Sequence, residues 1–138
     1  MIIDIMLIRH GQVDGNKEKR FVGVTDSPLT IEGRERIASL QYPKADLLYV
    51  SPLIRCRETA RIIYPDMEQT IIDNVREMNF GSFEDKKFAD LEGQDDFEVW
   101  NESGGKIAPP GGEAIDCFLN RVMEQCCGIQ LQRRLASL

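Results

Sequence analysis

The sequence is poor in histidine and has no long apolar run. Its 138 residues include one histidine, His10, and four cysteines. Because the cysteines form neither a CxxC pair nor the spacing of a zinc site, we expect reduced thiols. We also expect no metal and no cofactor. The apolar stretch at the start has about eight residues, whereas a membrane-spanning helix needs about 20. With no basic region typical of a signal sequence, we expect a cytoplasmic protein without a membrane segment.

Acidic residues outnumber basic ones, 23 to 17. The formal net charge is -6 and the pI is near 4.8, which excludes a general attraction to nucleic acid or to anionic lipid. No aromatic residues are interleaved with a basic face, so a nucleic-acid-binding module is not expected. With 42% hydrophobic and 29% charged residues, the composition is that of an ordinary globular protein, and we expect a single domain over residues 1–138. Any anion site must come from a local basic cluster.

Apolar periodicity and turn residues predict an alternation of strands and helices. Strands are predicted over 1–8, 45–50 and 70–73, and helices over 30–41, 51–65, 95–101 and from 113 onward. Long loops over 13–29 and 75–112 separate them. Thr30 and Ser51 are the predicted N-caps of the first two helices. This alternation indicates an α/β sheet, with ligands expected at the carboxyl ends of its strands.

Basic residues gather at these strand ends. Arg9 and His10 end the first predicted strand, and Arg55 and Arg57 lie in the first turns of the helix after the second strand. Helix starts favour acidic residues, so arginine there indicates a bound anion. Phosphate is the natural candidate because guanidinium groups match its oxygens. A neutral imidazole beside it can accept a phosphoryl group, provided that its second nitrogen has a backbone acceptor.

A carboxylic acid is then needed to protonate the leaving oxygen, and Glu77, just after the third predicted strand, is the best-placed candidate. Each residue also has a more ordinary interpretation. A lone histidine at a strand end is more often structural, helical arginines are usually solvated, and a loop glutamate is usually on the surface. The residues taken singly leave both interpretations open.

Four blocks in order resemble the histidine phosphatase superfamily, and the α-ribazole phosphatase-like branch looks most similar. The blocks are LIRHGQ from Leu7, SPLIRCRETA from Ser51, REMNFGSFED from Arg76 and PPGGEAIDCFLNRV from Pro109. The resemblance implies a three-layer αβα sandwich with a mostly parallel, doubly wound sheet. It implies the following roles: His10 as the phosphorylated nucleophile, Glu77 as proton donor, Arg9 and Arg55 as phosphate-binding residues, and Gly11 and Asn16 as parts of the phosphate loop. Arg57 falls outside the matching arginine position.

The sequence departs from the family pattern after Cys127. The family has a second active-site histidine, in a strand that follows the late helix and lies beside the first strand. Here the chain continues as GIQLQRRLASL and contains no second histidine. We therefore expect a C-terminally truncated form of the domain. The loss would leave an apolar sheet edge exposed, which a homo-oligomer could cover.

The resemblance implies a phosphomonoester hydrolase that acts through phosphohistidine on a small phosphorylated metabolite, with α-ribazole 5'-phosphate as one candidate. A phosphoglycerate mutase is an alternative, although the segment from Gly81 to Gly112 looks short for one. A catalytically impaired remnant that binds a phosphate compound or a partner is another. Loss of one contact to the transferring phosphoryl group typically lowers a rate by roughly 10²–10³.

Overall fold

The structure, a computed structural model, describes residues 4–135, with the backbone alone over 130–135. Six α-helices and two β-strands are present in this range. In chain order they are α1 (Asp14–Lys17), α2 (Ile31–Ser39), β1 (Leu48–Val50), α3 (Ile54–Ile63), β2 (Gln69–Ile71), α4 (Phe88–Leu91), α5 (Asp95–Glu102) and α6 (Ile115–Leu135). Short 3₁₀ helices cover Asp73–Val75 and Gly81–Phe83.

The two strands and α3 form a β-α-β unit. β1 and β2 are parallel, with Leu48 opposite Gln69 and Val50 opposite Ile71, and α3 packs on β1 and on α2. Both strands are shorter than the predicted spans 45–50 and 70–73. Beyond β2 the chain enters the 3₁₀ helix Asp73–Val75, which precedes Glu77.

The predicted first strand is not part of this sheet. Residues 4–8 form neither helix nor strand, and Leu7 is 91% exposed; residues 1–3 lie outside the described range. An apolar run becomes a strand when a neighbour supplies hydrogen bonds, and no described segment pairs with this one. Within the described residues, the expected doubly wound sheet is therefore represented by two parallel strands.

The ends of α2 and α3 show how local chemistry sets helix boundaries. Thr30 caps α2 as predicted, since its hydroxyl accepts the N–H of Gly33 at 2.9 Å. The helix ends at Ser39, two residues before the predicted end, because Leu40 has an extended backbone. The prediction that Ser51 caps α3 is wrong. Leu53 is still extended, and the carboxylate of Asp26 accepts the N–H of Ile54 at 2.6 Å.

Two further features differ from the prediction. The loop predicted over 13–29 contains α1, and α4 was not predicted, whereas α5 matches the predicted short helix. Among the described residues, some of the buried apolar side chains form two clusters. One consists of Val13, Leu29 and Ile37, and the other of Phe83, Leu91 and Phe97. No helix among the described residues is long and apolar enough to cross a membrane.

Candidate active site

His10 has an oriented imidazole. Its Nδ1 lies 2.6 Å from the carbonyl oxygen of Gly11. A carbonyl oxygen can only accept, so Nδ1 carries the hydrogen and Nε2 keeps its lone pair. This is the backbone acceptor that a nucleophilic histidine was predicted to need. Burial, followed by the positive charges of Arg55 and Arg9, lowers the pKa of His10, although the Gly11 hydrogen bond and Glu77 act in the opposite direction. The ring is therefore neutral at pH 7.

Gly11 is tied to α3 through Thr59. The N–H of Gly11 donates to the Thr59 hydroxyl at 3.0 Å, and that hydroxyl donates to the carbonyl oxygen of Arg55 at 2.7 Å. Thr59 is buried. The segment that carries His10 is thus fixed to the first turn of α3, which carries Arg55.

Arg55 is fully buried, with 0% of its surface exposed. Its two terminal nitrogens donate to the carbonyl oxygens of Thr25 at 2.8 Å and Gly23 at 2.7 Å. Backbone carbonyls therefore stabilise much of the charge that was predicted to require an anion in this helix turn, and the anion itself stays a prediction. The Nε of Arg55 is buried and has no hydrogen-bond partner among the described residues.

A carboxylate holds the same loop from its other side. The oxygens of Glu84 accept the N–H groups of Gly23, Val24 and Thr25 at 3.0–3.1 Å, and the Thr25 hydroxyl and the N–H of Phe80 also donate to Glu84. Burial alone would raise the pKa of Glu84, but the hydrogen bonds from Thr25, Phe80 and Val24 lower it overall. Glu84 is therefore ionised at neutral pH.

Arg9, Arg55 and Glu77 are the charged groups that act on the His10 imidazole. Arg55 and Arg9 lower its pKa and Glu77 raises it, which is the effect expected of neighbouring charges. Arg9 is exposed and Glu77 is partly buried. The Glu77 carboxylate accepts the N–H of Met78 at 2.8 Å. The predicted nucleophile, acid and arginines thus share one electrostatic environment.

The other predicted residues differ in their placement. Asn16 lies in α1, where its side-chain oxygen accepts the N–H of Val13 at 3.4 Å. Arg57 is exposed, and its carbonyl oxygen accepts a hydrogen bond from the Gln69 side chain. Its charge is not among those that shift the pKa of His10.

Sequence reasoning missed Thr59, Glu84 and Arg121, which hold the site segments in place. All three fall inside the quoted sequence blocks, so the blocks contained them without revealing their partners. Among the described residues, no group of three or more His, Cys, Asp and Glu side chains is arranged to hold a metal ion.

Similar proteins carry two kinds of name. The chain is 33% identical over 133 residues to a 2,3-bisphosphoglycerate-dependent phosphoglycerate mutase of Parvibaculum lavamentivorans, covering 86% of this chain and 63% of that protein. It is 31% identical over 126 residues to the adenosylcobalamin/alpha-ribazole phosphatase of Escherichia coli, covering 86% of this chain and 62% of that protein. The chain thus spans less than two thirds of these relatives.

Solved structures agree on the fold. A putative alpha-ribazole-5'-P phosphatase from Escherichia coli superposes with a TM-score of 0.83 at 27% identity, over 92% of this chain and 66% of that one. A phosphoglycerate mutase from Thermus thermophilus gives 0.72 at 30% identity, over 87% and 68%. The sequence pattern of the histidine phosphatase superfamily, branch 1, matches residues 5–134, so the chain belongs to this superfamily.

Proposed function

We propose that the chain acts on phosphomonoesters through a phosphohistidine at His10. The observation that carries this proposal is the hydrogen bond from His10 Nδ1 to the Gly11 carbonyl, which leaves Nε2 as a nucleophile beside Arg9, Arg55 and Glu77. A ring that is neutral, oriented and surrounded by cationic groups has the properties needed to accept a phosphoryl group.

The proposed reaction has two steps. In the first, His10 Nε2 attacks phosphorus, the N–P bond forms, the P–O ester bond breaks, and the leaving oxygen takes a proton from Glu77, whose carboxylate acquires that proton when the phosphomonoester anion binds beside it. In the second, water attacks phosphorus, Glu77 accepts a proton from that water, and the N–P bond breaks. Inorganic phosphate leaves, and both His10 and Glu77 return to their starting states.

Phosphate binding is assigned to the basic groups around His10. Arg9 is exposed and can reach an incoming ligand, whereas Arg55 is fully buried. Gly11, next to His10, and Asn16, in α1, complete the proposed phosphate-binding residues. Because the terminal nitrogens of Arg55 are held by carbonyl oxygens, this arginine contributes mainly a fixed positive charge.

The substrate class proposed is a small phosphorylated metabolite. The relative named as an adenosylcobalamin/alpha-ribazole phosphatase makes α-ribazole 5'-phosphate the first compound to test. Phosphoglycerates are the second, since other relatives are named phosphoglycerate mutases. Released inorganic phosphate indicates a hydrolase, whereas an isomerised phosphoglycerate indicates a mutase.

Phosphohistidine formation tests the proposal directly. Brief exposure to an aryl phosphate with a radioactive phosphoryl group should label the protein, and the label should be labile in acid and stable in alkali. His10→Ala should abolish it. Equal labelling of the wild-type protein and His10→Ala would contradict the proposal, as would no label in either.

A second candidate is binding of phosphate compounds without turnover. The observation that favours it is that His10 is the chain's one histidine, so no second imidazole is available to the phosphoryl group. Calorimetric titration with phosphate and vanadate should then show binding that depends on Arg9 and Arg55, while labelling of His10 stays absent.

A further inference from the structure

Arg121 in α6 forms hydrogen bonds to the backbone segment that carries Glu77. Its Nη1 donates to the carbonyl oxygens of Asn74 and Arg76, both at 2.8 Å, and its Nη2 donates to the carbonyl oxygen of Glu77 at 3.0 Å. A guanidinium holds its five N–H donors in a rigid plane, so these bonds fix the path of the backbone up to Glu77.

Glu113 holds the backbone that follows Glu77. Its carboxylate pairs with Arg121 through Nε at 3.1 Å and Nη2 at 2.6 Å. The same carboxylate accepts the N–H of Asn79 at 3.0 Å, and the N–H of Glu113 donates to the Asn79 carbonyl at 2.9 Å. The hydrogen bond from Arg121 is the main cause that lowers the pKa of Glu113, so the pair is ionised at neutral pH.

This pair is well suited to hold a fixed geometry. The side chains of Arg121 and Glu113 are 14% and 18% exposed, and the guanidinium lies 5.0 Å from the centre of the Phe118 ring. The hydrogen bond described for the Glu77 carboxylate comes from Met78, its own neighbour in the chain. The position of that carboxylate therefore follows the backbone that Arg121 and Glu113 hold.

We infer that Arg121, paired with Glu113, is a positioning residue that holds the Glu77 carboxylate beside the His10 imidazole. The inference rests on the proposed role of Glu77 as the proton donor. A misplacement of about 1 Å can lower a rate by roughly 10²-fold, so a proton donor on an irregular segment needs such support.

The first test needs no turnover. His10 is the chain's one histidine, so its imidazole signal in an NMR pH titration is unambiguous. Because Glu77 raises the pKa of His10, Glu77→Gln should lower it.

Arg121→Lys keeps the positive charge and loses the planar donors, and it should also lower the pKa of His10. Arg121→Gln removes a positive charge, which alone would raise that pKa, so a fall in this variant also identifies a displaced Glu77. Arg36→Gln, on the exposed face of α2, is the control and should leave the pKa unchanged.

The second test compares leaving groups. Phosphoryl transfer to His10 from phenyl phosphate needs a proton donor, whereas transfer from 2,4-dinitrophenyl phosphate does not, since its leaving group departs as a stable anion. Arg121→Lys should slow labelling from phenyl phosphate by about 10–100-fold and leave labelling from the dinitrophenyl ester near the wild-type rate. A merely structural defect would lower the labelling rate equally for both phosphoryl donors.

The outcomes separate the inference from the proposed function. If Glu77→Gln lowers the pKa of His10 while both Arg121 variants match the wild-type protein, the positioning role is wrong and the proposed function stands. If both donors are slowed equally in Arg121→Lys, the role is structural. If His10 is never labelled but the titrations behave as described, the placement of Glu77 is supported and the phosphohistidine proposal fails.

Discussion

Glu84 and Arg55 bind opposite sides of the same loop segment. The carboxylate of Glu84 accepts the N–H groups of residues 23–25, and the guanidinium of Arg55 donates to the carbonyl oxygens of Gly23 and Thr25. Each side chain has the charge that the peptide dipoles on its side require. The buried arginine beside His10 is therefore fixed through a loop whose other side is fixed by a carboxylate.

Glu84→Gln should lower the free energy of unfolding by about 2–3 kcal/mol at pH 7. The Gln amide replaces a charged acceptor, and its NH₂ group would face backbone N–H groups that need an acceptor. The pKa of Glu84 is lower in the folded protein, so its contribution is present above its unfolded pKa of about 4.3 and is lost as pH falls through the folded value. Urea unfolding at pH 7 and at lower pH should show the difference between wild-type and variant shrinking in acid.

The matched control is Glu35→Gln, an exposed carboxylate in α2, which should change the free energy of unfolding by less than about 0.5 kcal/mol. A difference between wild-type and Glu84→Gln that stays constant down to acidic pH would show that the charge of Glu84 is not what matters.

Gly23→Ala should strongly destabilise the protein, by about 2 kcal/mol or more. A Cβ there would overlap the carbonyl oxygen of Met78, the carboxylate of Glu84 and the ring of Phe80. Backbone carbonyls cannot move aside cheaply. Gly128→Ala is the control, because among the described residues no atom beyond its chain neighbours and the backbone of α6 lies within 4 Å of its added Cβ. That change should stabilise by about 0.5–1 kcal/mol in thermal or urea unfolding.

Thr59→Val should cost about 1–3 kcal/mol, since it leaves the N–H of Gly11 and the carbonyl oxygen of Arg55 without their shared hydroxyl in a buried site. Thr59→Ser keeps the hydroxyl and should retain most of this stability. Labelling of His10 should follow the same order, with Thr59→Val slower than Thr59→Ser. Equal labelling rates in the two variants would show that the Gly11 tether does not orient the nucleophile.

The rate of phosphoryl transfer to His10 should fall in acid with a midpoint below about 6.5, the unperturbed histidine pKa. The reason is that burial and the charges of Arg55 and Arg9 lower the pKa of His10, so that the nucleophilic form persists to lower pH. With 2,4-dinitrophenyl phosphate as donor, Arg9→Gln should move the midpoint upward and Glu77→Gln should move it downward. Shifts in the reverse directions would contradict the described charge environment.

Local patterns predicted the elements whose determinants lie within a few residues. Thr30 was recognised as the cap of α2 because its partner Gly33 is three residues away. The prediction of α3 failed at its start because the group that accepts the N–H of Ile54 is Asp26, far back in the sequence. The run at residues 4–8 was predicted to be a strand from composition, but strand formation depends on a neighbour that local sequence does not reveal.

The candidate site shows the same difference between features set by nearby residues and features set by distant ones. His10, Arg55 and Glu77 could be proposed because their chemistry and their positions after predicted strands point to phosphate. The support for them could not, since the bond from Gly11 to Thr59 spans 48 positions and that from Arg121 to the Glu77 carbonyl spans 44. The first pair forms only when α3, which carries Thr59, packs in the folded protein. The second forms only when α6, which carries Arg121, does so.

The bond between Gly11 and Thr59 also decides which side of the chain controls His10. Residues 4–8 are exposed, whereas the residues immediately after His10 are anchored: Gly11 to α3, and Gln12 through its carbonyl oxygen to the N–H of Thr30. The backbone next to the imidazole is thus held in place on the C-terminal side of His10. The orientation of the His10 imidazole therefore depends on the contacts of Gly11 and Gln12 rather than on the exposed residues 4–8.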